Sequence, residues 1–360
     1  MTEIRYRNRR AVALENERLQ VIVSVEGGHL AAITDKETGI NPLWTPPWPS
    51  IEPSAWSRET HPEYGDNAES RLLAGILGHN LCLDLFGGPS EEEAAAGMTV
   101  HGEGSVVPYD VTIDGETLTQ RATMPHAQLA FERRITLRAG SRKLLIEESA
   151  ENLSAWDRPC AWTQHVTLGP PFLKKGETQF RASATRSKVI EFDFTGGKGY
   201  MEIGAEFDWP NVPCIGGGTE DMRVFTSREV SGAYSTHLMD TSRETAFFTA
   251  YSPSLELAIA YIWRRSDFPW LGIWEENCSR TSPPWNGRTL TRGMEFGASP
   301  MPESRRAMIS RNGLFGAPGY RWIPAKSKVS VRYVALVSPA RKAPENADWD
   351  GGERAVLFGG

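Results

Sequence analysis

No stretch of this 360-residue chain approaches the ~18 consecutive apolar residues that a membrane-spanning helix needs. No block of lysine and arginine stands out, and the formal net charge is -6. A nucleic-acid partner, which calls for a basic stripe and a high pI, is therefore disfavoured. The opening Met1–Arg10 is basic but lacks the apolar run of a signal peptide, so a cytoplasmic protein with no membrane partner is expected. Cysteine is sparse: Cys82, Cys160, Cys214 and Cys278 lie far apart and form no CxxC pair. Neither a zinc site nor a redox motif is indicated, and buried free thiols are the expected state, although an even count also permits disulfides. There is no phosphate-cradling glycine loop followed by Lys-Ser/Thr, no HExxH and no GxSxG. His101 with Glu103 supplies two ligands, which do not make a metal site. No cofactor is implied.

Helical periodicity is nearly absent as well, with Glu91 to Ala96 the one short candidate. What remains is a strand pattern. Leu19, Val21, Val23 and Val25 alternate with other residues, as do Leu257, Ile259, Tyr261 and Trp263, and again Val329, Val331, Tyr333 and Ala335. Each run presents one apolar face to a core. Asp114-Gly115 suits a tight hairpin, and the run Gly216-Gly217-Gly218 reads as a turn. Hydrophobic residues are 40% and charged residues 23% of the chain, ample for a sizeable core. Many short strands with frequent Gly and Pro point to an all-β sandwich or barrel with few short helices. No linker or composition shift divides the chain, so residues 1–360 are expected to form a single domain. The Pro/Trp-rich stretch from Pro42 to Pro62 reads as a surface loop, and the tail after Pro339 as irregular until Ala355–Phe358 closes on as a last strand.

Twelve tryptophans are unusual, and Trp44, Trp48, Trp209, Trp270 and Trp285 sit near Pro or Gly rather than inside clean strand patterns. Aromatic rings stack on the C–H faces of sugars, yet aromatics also dominate cores, and for any single Trp the core is the better account. Three His or carboxylate neighbourhoods carry possible chemistry. They are Val100-His101-Gly102-Glu103-Gly104, the run Trp162–Phe172 containing His165, and Arg292-Gly293-Met294-Glu295-Phe296-Gly297. Taken singly, each has an ordinary explanation as a hydrogen-bonded His or a paired Glu.

Their order resembles that of the aldose 1-epimerase (galactose mutarotase-like) superfamily. Val100-His101-Gly102 is similar to that family's early His-Gly, His165 before Gly169-Pro170-Pro171 to its mid-chain His, and Gly293-Met294-Glu295-Phe296 to its late Glu. Phe268–Trp274 looks like the segment carrying a substrate-facing aromatic, here Trp274. The resemblance implies a large β-sandwich, a small-molecule sugar or sugar derivative as partner, and interconversion of its anomers. It further implies Glu295 as base, a protonated His165 as acid, and His101 as a hydroxyl ligand. Glu103, two residues on, is a further candidate substrate contact, and it could also supply a carboxylate for a different reaction on the same scaffold. A carboxylate near His165 is expected to raise its pKa.

The pattern also departs from the family. Its upstream Arg is missing from Gly75–Asn80, leaving Asn80 or the more distant Arg71 as substitutes, and its sugar-binding Asp is absent from Tyr234–Asp240, leaving Asp240 as the nearby candidate. Two other readings stand beside the epimerase: a carbohydrate-binding protein without turnover, and another sugar isomerase or lyase reaction on the same scaffold. For the last, Glu275-Glu276-Asn277 is either a source of further carboxylates or a solvated turn.

Overall fold

The structure is a computed structural model and describes residues 3–352 and 354–359. Met1 and Thr2 of the opening basic segment lie outside them. Two large antiparallel sheets dominate, one of twelve strands and one of eight, with three two-stranded hairpins beside them. The larger sheet carries, side by side near its middle, the strands His79–Asp84, Arg158–Leu168, Leu290–Gly297, Trp270–Asn277 and Ser231–Met239. The smaller is built on Thr245–Ser252, Leu257–Arg264, Lys328–Pro339 and Lys143–Asn152, extended by Leu129–Thr136, Thr117–Met124 and Asp110–Asp114. This is an all-β sandwich, as the strand periodicity predicts. Among the described residues no helix is long and apolar enough to cross a membrane.

The core lies between the sheets. Phe296 of the larger stacks on Trp263 of the smaller at 4.3 Å between ring centres, and Trp162 meets Phe131 edge to face. Successive side chains of a strand point to opposite faces. Gln164, Val166, Met294 and Phe296 therefore turn inward, while His165 and Glu295 turn to the other face.

A polar network is threaded through this core. Glu148 accepts from Arg133 Nε at 2.7 Å, Gln164 Nε2 at 2.6 Å, Trp162 Nε1 at 3.0 Å and Tyr333 Oη at 2.8 Å. Gln164 Oε1 in turn accepts from His79 Nε2 at 3.0 Å. Burial holds His79 neutral, its pKa pushed down to about 3. Such networks tie the sheets together only when every member is satisfied. Tyr333→Phe keeps the ring and removes one donor from Glu148, so it is expected to cost about 1–2 kcal/mol of unfolding free energy in a urea titration.

Several local expectations change. Leu257–Arg264 is buried on both faces down to Trp263, because the hairpin Pro344–Trp349 with Ala355–Gly359 covers the outer side. There Phe247, Ile262, Val334, Ala347 and Trp349 pack as a second cluster. Part of the tail expected to be irregular is therefore a strand. The Pro42–Pro62 segment is not merely a surface loop, since Trp44 and Trp48 are buried, Trp44 stacking on Trp285 and Trp48 meeting both rings edge to face. Glu275 and Glu276 are no solvated turn: both are buried on their strand, Glu275 against Arg292 and Ser231, Glu276 against Ser279.

Other expectations are met. The cysteines are unpaired. A two-residue loop at Gly115-Glu116 closes the hairpin beside Asp114. Glu91–Ala95 is a helix opened by a Ser90/Glu93 capping box. Ser70–Gly75 and Arg305–Arg311 are also helical, each too short to leave a periodic signal.

Candidate active site

On the outer face of the larger sheet, the register sets His165 directly opposite Glu295, and Glu295 opposite Gly272 on its other side. Glu295 Oε1 stands 3.0 Å from His165 Nε2, outside hydrogen-bond alignment, and has no hydrogen-bond partner among the described residues. His165 Nδ1 is held by Thr167 Oγ1 at 2.9 Å, two residues on along the same face.

Glycine explains how a carboxylate fits there. A Cβ on Gly293 would fall 2.4 Å from Glu295 Oε1, and one on Gly272 would fall 2.5 Å from the Tyr234 hydroxyl. Real Cβ atoms do not approach so closely, so Gly293 makes the space that the Glu295 side chain occupies and Gly272 makes that of the Tyr234 hydroxyl.

These groups form the floor of a cavity of about 240 Å³, together with Trp274, whose ring lies 5.9 Å from that of His165. His101 enters from one side. Its backbone is left-handed (φ 64°), and its Nδ1 donates to Phe86 O at 2.8 Å, which leaves Nε2 for the cavity. The His101 and His165 rings meet edge to face at 4.9 Å. Gly102 is also left-handed, and a Cβ on it would sit 2.3 Å from Leu83 O. The glycine after His101 is thus a backbone requirement.

At the rim, Arg280 Nη1 holds Glu69 Oε2 at 3.1 Å, and the guanidinium carbon Cζ lies 4.8 Å over the centre of the Trp285 ring. The remaining walls are mostly apolar, from Leu72, Leu73 and Ile76 on one segment to Ile190, Phe192 and Phe194 on another.

Burial is the dominant electrostatic influence. It pushes the Glu295 carboxyl well above the usual carboxylate range. It pushes His165 well below the usual imidazole range, with the neighbouring His101 adding to the effect. The expectation that a carboxylate neighbour would raise His165 is overturned, because desolvation of the imidazolium outweighs the attraction. Both shifts disfavour the charged forms, so burial works against the ion pair and toward the uncharged carboxyl and imidazole.

Of the residues singled out from sequence, His101, His165, Glu295 and Trp274 line this cavity. Glu103, Asn80, Asp240 and Arg71 do not. Glu103 is buried and accepts from Ala127 N at 2.7 Å. Asn80 neighbours His165 in the sheet, but its amide donates to Ser105 Oγ at 3.1 Å. Asp240 closes its own turn by accepting from Ser242 N at 2.9 Å and Ser242 Oγ at 2.7 Å. Glu69, Arg280, Tyr234 and the apolar walls had not been singled out as site residues. Of these, Tyr234, Ile76 and Val100 stood in segments already compared with the family pattern. Among the described residues, no group of three or more His, Cys, Asp or Glu side chains is arranged to hold a metal ion.

No family model and no curated protein matches the sequence. Solved structures do match its fold. A Klebsiella pneumoniae protein provisionally assigned as an aldose 1-epimerase has a TM-score of 0.64 at 13% identity, over 93% of this chain and 80% of that one. A galactose mutarotase-like protein from Clostridium acetobutylicum gives 0.59 at 13%, over 94% and 98%. A galactose mutarotase related enzyme from Lactobacillus acidophilus gives 0.58 at 12%, over 92% and 99%. The sandwich and its central strands are thus those of the galactose mutarotase-like fold.

Proposed function

We propose that the cavity binds a sugar and interconverts its anomers, with Glu295 and His165 as the acid–base pair. The observation that carries this reading is their 3.0 Å pairing on adjacent strands at the floor of a largely apolar cavity. Anomer exchange takes a proton from the O1 hydroxyl and delivers one to the ring oxygen. The C1–O5 bond breaks, C1=O1 forms, rotation about C1–C2 presents the other face, and the steps reverse. Both oxygens are bonded to C1, so an acid and a base side by side match them.

One group accepts as the other donates, and the total proton count of the pair is unchanged. In the charged arrangement Glu295 is base and His165 acid. The uncharged arrangement that burial favours performs the same exchange with the roles reversed. His101 Nε2 is placed to bind a hydroxyl, and Trp274 to stack on the ring. The resemblance in fold to proteins named as mutarotases supports this reading.

Saturation-transfer NMR of anomer exchange across aldoses, uronates and modified sugars tests it. Acceleration over buffer on at least one sugar is the expected result. Binding without acceleration would point instead to a carbohydrate-binding protein.

The pH profile follows from the pair. Activity needs one mobile proton on it, and is lost when the pair gains a second or gives up the first. Because burial lowers His165 and raises Glu295, the acid limb of kcat/KM is expected below the usual imidazole range. An acid limb centred at an ordinary histidine pKa would contradict the assignment.

A further inference from the structure

Hydrogen-bonding capacity in the cavity is concentrated at one end. His101 Nε2, His165 and Glu295 face it, whereas Glu69 and Arg280 are engaged with each other, and the Tyr234 hydroxyl donates to Pro300 O at 3.2 Å. A hexose carries a hydroxyl on nearly every carbon, and each one buried without a partner is costly. Asn80 and Asp240, the side chains expected from sequence to bind hydroxyls, point elsewhere.

The apolar wall also does not stop at the cavity. A second depression of about 90 Å³ shares Ile190, Phe192, Phe194 and Tyr234 with it and runs on to Ile203 and Ile215. Phe192 is 55% exposed, Ile203 48% and Ile215 61%, so three large apolar side chains border the cleft uncovered. Isolated exposed apolar residues are ordinary; a group continuous with a cavity marks a binding surface.

We infer that the sugar carries an alkyl or aryl substituent, which lies from Phe194 along Phe192 toward Ile203 and Ile215 while its hemiacetal sits at Glu295 and His165. This rests on the anomer-exchange reading for the placement of the ring. The substituent accounts for the apolar extension, and a sugar with fewer free hydroxyls accounts for the scarcity of polar partners.

The test uses glucose and galactose with their mono-O-hexyl ethers at each non-anomeric hydroxyl, measured both by anomer-exchange NMR and by tryptophan-fluorescence titration. At least one ether is expected to exceed its parent sugar about tenfold in kcat/KM or affinity, the gain from burying roughly two methylenes. Phe192→Ser with Ile215→Ser should bring that ratio close to one, and both positions are exposed enough for the fold to tolerate the change. Ethers no better than the parent sugars in either measurement overturn the inference, even if the parents exchange. Tighter binding of an ether with no exchange on any sugar sustains the apolar subsite and removes the anomer-exchange reading. Neither binding nor exchange removes both.

Discussion

Glu295→Gln is expected to lower kcat/KM for anomer exchange about 10³-fold, within the range for loss of a general acid–base group. The amide has nearly the carboxylate's shape but cannot take or give the proton. Among the described residues Glu295 Oε1 has no hydrogen-bond partner and only the 3.0 Å approach of His165 Nε2, so little structural bonding is lost. The fold should gain instead. A carboxyl whose pKa is raised by burial weakens the folded state as pH rises above the ordinary carboxylate range, because the unfolded chain ionises freely while the folded one resists. The Tm of the Gln variant should therefore exceed that of the native protein by about 2 °C near neutral pH, with the difference vanishing in acid. Loss of activity with a lowered Tm at neutral pH would mean that Glu295 serves the fold rather than the chemistry.

The second large effect is expected at Gly293→Ala. The new methyl would meet only the Glu295 side chain among its nearest atoms: Oε1 at 2.4 Å, Cδ at 3.2 Å and Cγ at 3.3 Å. The backbone at Gly293 is not left-handed, so alanine brings no strain of its own. The carboxylate must shift, and a displacement of about 1 Å at a reacting group can cost about 10²-fold in kcat. Gly297→Ala is the control. Its Cβ would lie 2.2 Å from Thr163 Oγ1 and 2.9 Å from Thr163 Cα, so the main chain must move and stability should fall. Steady-state exchange rates beside thermal melts of both variants separate the two cases. Undiminished activity in Gly293→Ala would argue against Glu295 as a reacting group.

Much of this was legible in the sequence, for identifiable reasons. Alternating apolar residues located the strands, and the glycines around Glu295 and after His101 marked places where a backbone or carboxylate needs room. Polar residues in the middle of strand-like runs drew attention to His165 and Glu295. Other features leave no such trace. Glu69 and Arg280 meet only because a helical turn and a strand end fold together from opposite parts of the chain. Phe192 and Phe194 read the same in sequence whether they face solvent, core or cavity. The second face of Leu257–Arg264 is hidden by a hairpin of two short strands, the first of which, Pro344–Trp349, carries Glu345, Asn346 and Asp348. The lowered pKa of His165 depends on how completely three segments enclose it, which a neighbouring carboxylate in the sequence pattern does not convey.

The pairing of the Arg158–Leu168 and Leu290–Gly297 strands has a consequence for how the protein comes into being. The two partners of the acid–base pair are made far apart in time on the ribosome, and Trp270–Asn277 must be in place to flank the later one. Contacts of such long sequence separation close late and slowly. No nascent chain ending short of Leu290 can hold the pair, however well its earlier strands have folded. During refolding, the return of activity should accordingly coincide with the slowest phase in which the two regions of the larger sheet join, making catalysis itself a clock for the completion of the sandwich.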